Sequence, residues 1–366
     1  MNPSPPSAAA PAVALPDLSG TPYVTNPGVG GYRLVRAAVA PAAPPVLDAA
    51  QRAVVEHRGG PLLVLGGPGT GKTSTLVEAV AARVRAGTAP ERILVLTFHR
   101  KAALALRDRI AARLGAHDPA GPGGPLPAAP QTATFHSFCY GLLRAHQPAE
   151  RYAEPVRLLS GPEQDLLVRE LLAGQITLAR DGRAHVRWPD ELRAALTTRG
   201  FADEVRAVLA RSRELGLAPE TLRAAARRIG RPDWGAAADF LAEYLDVTDL
   251  QGVIDYSELV QRAVRLVRRP EVHAELSGRY DAVYVDEYQD TDVAQVRLLR
   301  ALAGGGRTLV AFGDPDQSVY AFRGADVNGI LDFPERFPGS AAGPPGSRSS
   351  PAPTAPPPRC WPPPAG

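Results

Sequence analysis

Lysine is nearly absent from this chain: Lys72 and Lys101 stand alone among 41 basic residues, which leaves 39 arginines. Arginine so common, with abundant Ala, Gly and Pro and a single Met, reads as coding bias from a GC-rich genome. Its abundance is therefore no sign of a nucleic-acid partner, and a net charge of +3 selects no partner either. Cysteine is scarce too. Cys139 and Cys360 lie far apart without CxxC spacing, which excludes a disulfide framework or a zinc site and leaves a buried thiol and a tail thiol. No apolar run approaches the roughly 20 residues of a membrane span. The N-terminal MNPSPPSAAA has no basic region ahead of an apolar one, so a cytoplasmic protein with no membrane partner is expected.

What is present is a hydrophobic content of 45%, enough for a packed core over 366 residues. Residues 1–45 are rich in Pro and Ala and read as disordered, with at most a short strand near residues 32–35. From Val46 onward, apolar runs alternate with helical patterns. PLLVL (61–65), RILVLTF (92–98), QTATF (131–135), DAVYVDE (281–287) and RTLVAFGD (307–314) read as buried strands. Helical segments follow most of them, which predicts an α/β fold with a parallel sheet flanked by helices. Between about residues 148 and 278 the alternation gives way to helix after helix, including a capping box at Ser160 and Glu163 and a helical stretch over 202–216. This predicts an all-α inserted subdomain. Residues 115–130 read as a loop, and residues 338–366, with 11 prolines and no acidic residue, as a disordered tail.

Gly66-Gly67-Pro68-Gly69-Thr70-Gly71-Lys72-Thr73 fits G-x-x-x-x-G-K-[ST] between an expected strand and an expected helix. Glycines let backbone N–H groups turn inward around phosphate oxygens, and the following helix aims its positive end at them. Lysine survives the coding bias at Lys72 because a compact ammonium on a flexible stem fits where a planar guanidinium does not. Thr73 is expected to offer its hydroxyl to Mg²⁺. In VYVDEYQDT (283–291), Asp286 and Glu287 end a strand, and parallel topology places them on the edge that carries the phosphate loop. Asp286 is expected to hold Mg²⁺ and Glu287 to act as general base on the attacking water. In GDPDQSVYAFRGA (313–325), Gln317 is placed to sense a γ-phosphate, and Tyr320, Phe322 and Arg323 to stack on bases.

These blocks, in this order, resemble superfamily 1 helicases of the UvrD/Rep/PcrA type. LDAAQRAVV (47–55) is similar to the family's Q-motif, LTFHRKAALALRDRI (96–110) and TFHSF (134–138) to its DNA-contacting blocks, and IDYSELV (254–260) to the block before the carboxylate motif. The resemblance covers about residues 46–337 and implies a RecA-like P-loop NTPase motor domain over 46–147 and 279–337, with a helical insert over 148–278. It further implies ATP and Mg²⁺ as cofactors, adenine recognition by Gln51, phosphate binding by Lys72 and γ-phosphate sensing by Gln317. Single-stranded DNA is the implied partner, met by Phe98, Lys101, Thr134, His136, Tyr320, Phe322 and Arg323, with movement from 3′ to 5′. His136 reads equally as a helix-cap histidine, Phe98 as core and Lys101 as a plain surface residue.

After Phe337 nothing resembles the family's second motor domain, which supplies phosphate-stabilising arginines. The sequence is therefore expected to be a truncated or frame-shifted product, active only if a helicase or nuclease partner subunit completes the cleft. The Pro-rich lead and RGGPLLVLGGPGTGKT (58–73) are similar to actinobacterial helicases fused to a nuclease. A catalytically inactive ATP- and DNA-binding fragment is the alternative, and an unrelated P-loop ATPase or kinase a remoter one.

Overall fold

The computed structural model describes residues 45–115, 129–147, 156–317 and 329–339. The expected disorder in residues 1–44 and 340–366, most of the loop over 115–130, and the side chains Tyr320, Phe322 and Arg323 lie outside the described residues.

The five apolar runs form one parallel sheet: β1 (Pro61–Leu65), β2 (Ile93–Thr97), β3 (Gln131–Thr134), β6 (Ala282–Val285) and β7 (Thr308–Gly313). Their order is β1-β7-β6-β2-β3. Both faces are buried, which explains why the runs are continuously apolar rather than alternating with polar residues. Successive side chains point to opposite faces. Ile93, Val95, Tyr284, Val310 and Phe312 pack under α1 (Ala49–Val55), α2 (Lys72–Arg85) and α3 (Arg100–Gly115). Leu94, Leu96, Val283, Val285 and Leu309 face α4 (Phe135–Ala145) on the other side. Cys139, fully buried on α4, has its thiol pushed up by desolvation and is inert.

A second core belongs to the helical region that follows. It comprises β4 (Arg157–Leu158), α5 (Gly161–Arg180), the single turn α6 (Asp190–Arg193), α7 (Arg199–Glu214), α8 (Pro219–Ile229), α9 (Pro232–Leu250) and β5 (Val253–Ile254). Trp188, Phe201, Phe240 and Tyr244 form its centre. Ser160 and Glu163 make the expected capping box at the start of α5, Ser160 N donating to Glu163 Oε2 at 2.8 Å. The short parallel pair β4 and β5 is the one departure from an all-helical insert among the described residues.

Packing divides the chain differently from periodicity. α10 (Tyr256–Val267) and α11 (Pro270–Arg279) bury Leu259, Val264, Val272 and Leu276 in the sheet's own core, alongside α12 (Val293–Ala303) and the short α13 (Phe333–Arg336). The insert's separate core therefore ends at Val253, well before residue 278. A 3.6-residue period identifies a helix but not which core it covers. Asp255 joins the two: it caps α10 by accepting from Glu258 N at 2.8 Å, and accepts from Tyr244 Oη at 2.8 Å and Gln164 Nε2 at 3.2 Å.

Candidate functional site

Strand register builds the site. Leu65 pairs with Gly313, Ala311 with Val285, Val285 with Leu96, and Thr97 with Thr134. The residues that follow these strand ends, Gly66, Asp314, Asp286, Phe98 and Phe135, consequently line one edge of the sheet.

At the β1 end, Gly69 (φ 72°) and Gly71 (φ 86°) take left-handed conformations that bend the loop back on itself. A Cβ on Gly71 would stand 2.9 Å from Gln51 Nε2. α2 starts at Lys72 without a side-chain cap. The first N–H groups of a helix lack intrahelical partners, and an anion satisfies them. Lys72 Nζ donates to Gly66 O at 2.6 Å and Gly67 O at 3.1 Å, and stands 3.5 Å from Asp314 Oδ2. The ammonium thus spans the loop and reaches the end of β7. Gln51 closes the other side: its Oε1 accepts from Asp48 N at 3.1 Å and its Nε2 donates to Thr70 O at 3.0 Å. Thr73 lies half-buried in the first turn of α2.

At the β6 end, Asp286 is 4% exposed and its Oδ1 has no hydrogen-bond partner among the described residues. Burial, and then Glu287 beside it, push its carboxyl up to about 6, against the pull of Lys72 and Arg109. Glu287 is the one non-glycine at positive φ (56°) among the described residues. Such backbone costs on the order of 1–3 kcal/mol and persists where surrounding contacts enforce it. Gln289 is one such contact, its Nε2 donating to Glu287 Oε2 at 2.8 Å. Gln289 Oε1 accepts from Asp314 N at 3.0 Å, and Asp314 Oδ2 in turn accepts from Gln317 Nε2. Lys72, Asp286, Glu287 and Gln317 are therefore brought to one place, tied by Gln289 and Asp314.

A buried, unpartnered carboxylate oxygen beside a phosphate loop fits a divalent cation. Among the described residues no group of three or more His, Cys, Asp or Glu could hold a metal alone. That is the donor set Mg²⁺ accepts, which takes one or two protein oxygens and completes its shell with phosphate and water.

The DNA-contacting expectations fare unevenly. Thr134 is 7% exposed, and its hydroxyl caps α4, accepting from Ser137 N at 3.1 Å and donating to Ser137 Oγ at 2.9 Å. Phe98 is half-buried with its ring 5.2 Å from that of Phe135. Lys101 is exposed on α3. His136 meets Tyr256 edge to face at 4.9 Å, and burial lowers its imidazole below the usual range.

Sequence reasoning missed four residues here. Asp314 and Gln289 lay inside quoted motifs without a role. Tyr256, 46% exposed, likewise lay inside the quoted block IDYSELV without a role. Arg109, which donates to Ser74 Oγ at 2.9 Å across the gap from α3 to α2, lay inside the quoted block over 96–110 without a role.

Comparison with known proteins agrees with this geometry. The family described as UvrD/REP helicase N-terminal domain matches residues 47–338. DNA helicase II of Escherichia coli (strain K12) is 30% identical over 296 residues, covering 80% of this chain and 37% of the relative. ATP-dependent DNA helicase PcrA of Bacillus subtilis (strain 168) is 28% identical, covering 81% and 36%. ATP-dependent DNA helicase UvrD2 of Mycobacterium bovis (strain ATCC BAA-935 / AF2122/97) is 32% identical, covering 81% and 40%. The chain spans about two-fifths of the length of these relatives. Matched by the family model over residues 47–338, and with a parallel sheet that brings phosphate loop and carboxylates to one edge, the chain belongs to the UvrD/REP helicase family.

Proposed function

We propose that this chain is the ATP-binding motor half of a DNA helicase, coupling hydrolysis of ATP to movement along single-stranded DNA. The observation that carries the reading is the reach of Lys72 Nζ from its own loop to within 3.5 Å of Asp314 Oδ2, 242 residues on. A charge held between phosphate loop and β7 can transmit the state of a terminal phosphate to the segment that follows β7. Movement from 3′ to 5′ rests on the family resemblance alone.

In this mechanism Lys72 exchanges the carbonyls of Gly66 and Gly67 for phosphate oxygens. Asp286, with Thr73, would hold Mg²⁺, which supplies neutralisation of charge on the terminal phosphates. Glu287 accepts the proton of the attacking water while Gln289 fixes its orientation. Gln51 turns its amide from Asp48 N and Thr70 O to the adenine edge, so that base recognition releases the loop. Gln317, held by Asp314, reports loss of the γ-phosphate. Residues 46–147 together with the chain from Ile254 to 337 form the motor, and the region from Val156 to Val253 the insert. On the DNA side, Tyr256 and His136 present an aromatic platform, with Lys101 contacting backbone phosphate and Thr134 acting through the shape of α4.

Hydrolysis and binding of ATP, with and without single-stranded DNA, test the proposal. DNA-stimulated turnover that Glu287→Gln lowers by roughly 10²–10⁴-fold, while ATP binding persists, supports it. Binding without turnover favours the reading as a non-catalytic ATP- and DNA-binding segment that needs a partner chain. Failure to bind ATP overturns both.

A further inference from the structure

Away from the phosphate loop lies a larger cavity of about 330 Å³, against about 30 Å³ beneath the loop itself. It opens where the turn after α7 meets α10 and α12. Arg213, Arg265, Arg268 and Arg297 line it together with Gln261 and Gly216, and no carboxylate does.

The charges around it are unbalanced. Glu258, buried behind the cavity, accepts from Arg213 Nε at 2.6 Å and Arg262 Nε at 3.0 Å, and also from Arg265. Arg262 also pairs with Asp249, so Glu258 is left to offset Arg213 and Arg265 together. Arg268 is exposed, and among the described residues neither it nor Arg297, whose NH1 donates to Leu215 O at 2.9 Å, has an ion pair. Burial and then the neighbouring Arg268 lower the Arg297 guanidinium, and Asp292 offsets part of this. Like charges held together in this way are costly unless an anion joins them.

Nearby acids do not fill that place. Asp292 caps α12 and Glu214 pairs with Arg211 at 3.2 Å, and neither lines the cavity. Gln261 supplies an independent sign. It is 5% exposed, yet its Nε2, a donor, has no acceptor among the described residues. Gly216, at φ 73°, lets the backbone run close: a Cβ there would stand 2.5 Å from Arg297 NH1 and 3.2 Å from Gln261 Nε2. Each polar side chain that lines the cavity carries donors, four of them guanidinium groups, and a partner suited to them has several acceptor oxygens and negative charge.

We infer that this cavity binds a phosphate group, gripped by Arg268 and Arg297 and completed by Gln261. Guanidinium forks match phosphate oxygens in pairs, and charge-assisted bonds of this kind are the strong ones. The phosphate belongs either to a nucleic-acid backbone or to a free phosphate compound. The site is separate from the nucleotide loop and does not depend on the proposed hydrolysis.

The test titrates pyrophosphate, and separately an unstructured single-stranded oligonucleotide, into the full chain carrying Lys72→Ala, which removes the phosphate-loop contribution. The same titrations follow with Arg268→Glu or Arg297→Gln added. Arg268→Glu alters an exposed side chain at the C-cap of α10 that has no ion pair among the described residues, and melting temperatures verify that each variant keeps its fold. The expected result is that pyrophosphate binds the Lys72→Ala chain and loses at least tenfold in affinity with either added change. If the source is nucleic acid, the oligonucleotide also loses tenfold, and its salt slope falls by about 0.7 per lost phosphate contact. If the source is a free phosphate compound, oligonucleotide affinity stays put while pyrophosphate affinity falls. Unchanged affinity for both ligands in both variants overturns the assignment, as does a Lys72→Ala chain that binds neither.

Discussion

Gln289 stands between the two carboxylate-bearing ends of the sheet, its Nε2 2.8 Å from Glu287 Oε2 and its Oε1 3.0 Å from Asp314 N. One amide therefore holds the proposed base in its strained left-handed conformation and fixes the turn after β7. At 5% exposure neither bond competes with bulk water.

Replacing that amide separates positioning from binding. Gln289→Ala leaves the phosphate loop untouched but frees Glu287 to relax. The expected outcome is a fall of tenfold or more in kcat for DNA-stimulated hydrolysis with KM for ATP changed less than twofold. Steady-state kinetics check it, and an equal fall in ATP affinity counts against a positioning role.

Asp286 predicts a pH dependence. Its folded carboxyl titrates near 6, above the ordinary value of 3.8. The sign follows: the fold binds this proton more tightly than the unfolded chain does, so its contribution to stability is full below 3.8 and is lost as pH rises through about 6. Asp286→Asn escapes the loss and should stabilise the fold at pH 8 by an amount on the order of 3 kcal/mol. Only the ionised carboxylate can ligate Mg²⁺, so Mg²⁺-dependent ATP affinity should rise with pH toward 6 and level off above it. Thermal melts and ATP titrations from pH 5 to pH 8 check both halves.

Gly71→Ala meets two obstacles at once, a φ of 86° and a Cβ 2.9 Å from Gln51 Nε2. A loss of about 1–3 kcal/mol in stability is expected from the backbone conformation, together with loss of ATP binding. A variant that binds ATP as well as the parent shows that the loop does not need this shape.

The insert's separate core makes a different prediction. Phe240→Ala, at a fully buried position between Trp188 and the neighbouring helices, should cost about 3–5 kcal/mol of the insert's stability. Below its melting temperature the same variant should bind ATP within twofold of the parent, because its cluster shares no residue with the phosphate-loop core.

On the DNA side, Tyr256→Ala should weaken single-stranded DNA binding by about 1–3 kcal/mol, the range for one base stacked on an aromatic ring. Lys101→Ala should lower the salt slope by about 0.7 without changing sequence preference. Fluorescence anisotropy at two or more salt concentrations separates the two effects.

What the sequence disclosed depended on how locally each feature is encoded. Strands such as Ile93–Thr97 are apolar on both faces because helices cover both, and this shows as a plain run. The phosphate loop is a single contiguous stretch with its own strand and helix. By contrast, the tie from Gln51 to Thr70, the bridge through Gln289 and the meeting of Arg268 with Arg297 join residues from separate elements, and no local pattern announces them. Thr134 carries a role that no motif announces: its block implies DNA contact, and the structure adds that its hydroxyl caps α4. Likewise α10 and α11 carry a clear helical period, yet only packing assigns them to the sheet's core rather than to the insert.

The central claim is that the edge formed by the phosphate loop, Asp286 and Asp314 is an ATP site, and the most direct test is equilibrium binding of ATP with Mg²⁺ to the chain and to Lys72→Ala. The account predicts measurable binding by the parent chain and a loss of at least a hundredfold when the ammonium is removed. Equal affinity in the two proteins would contradict it.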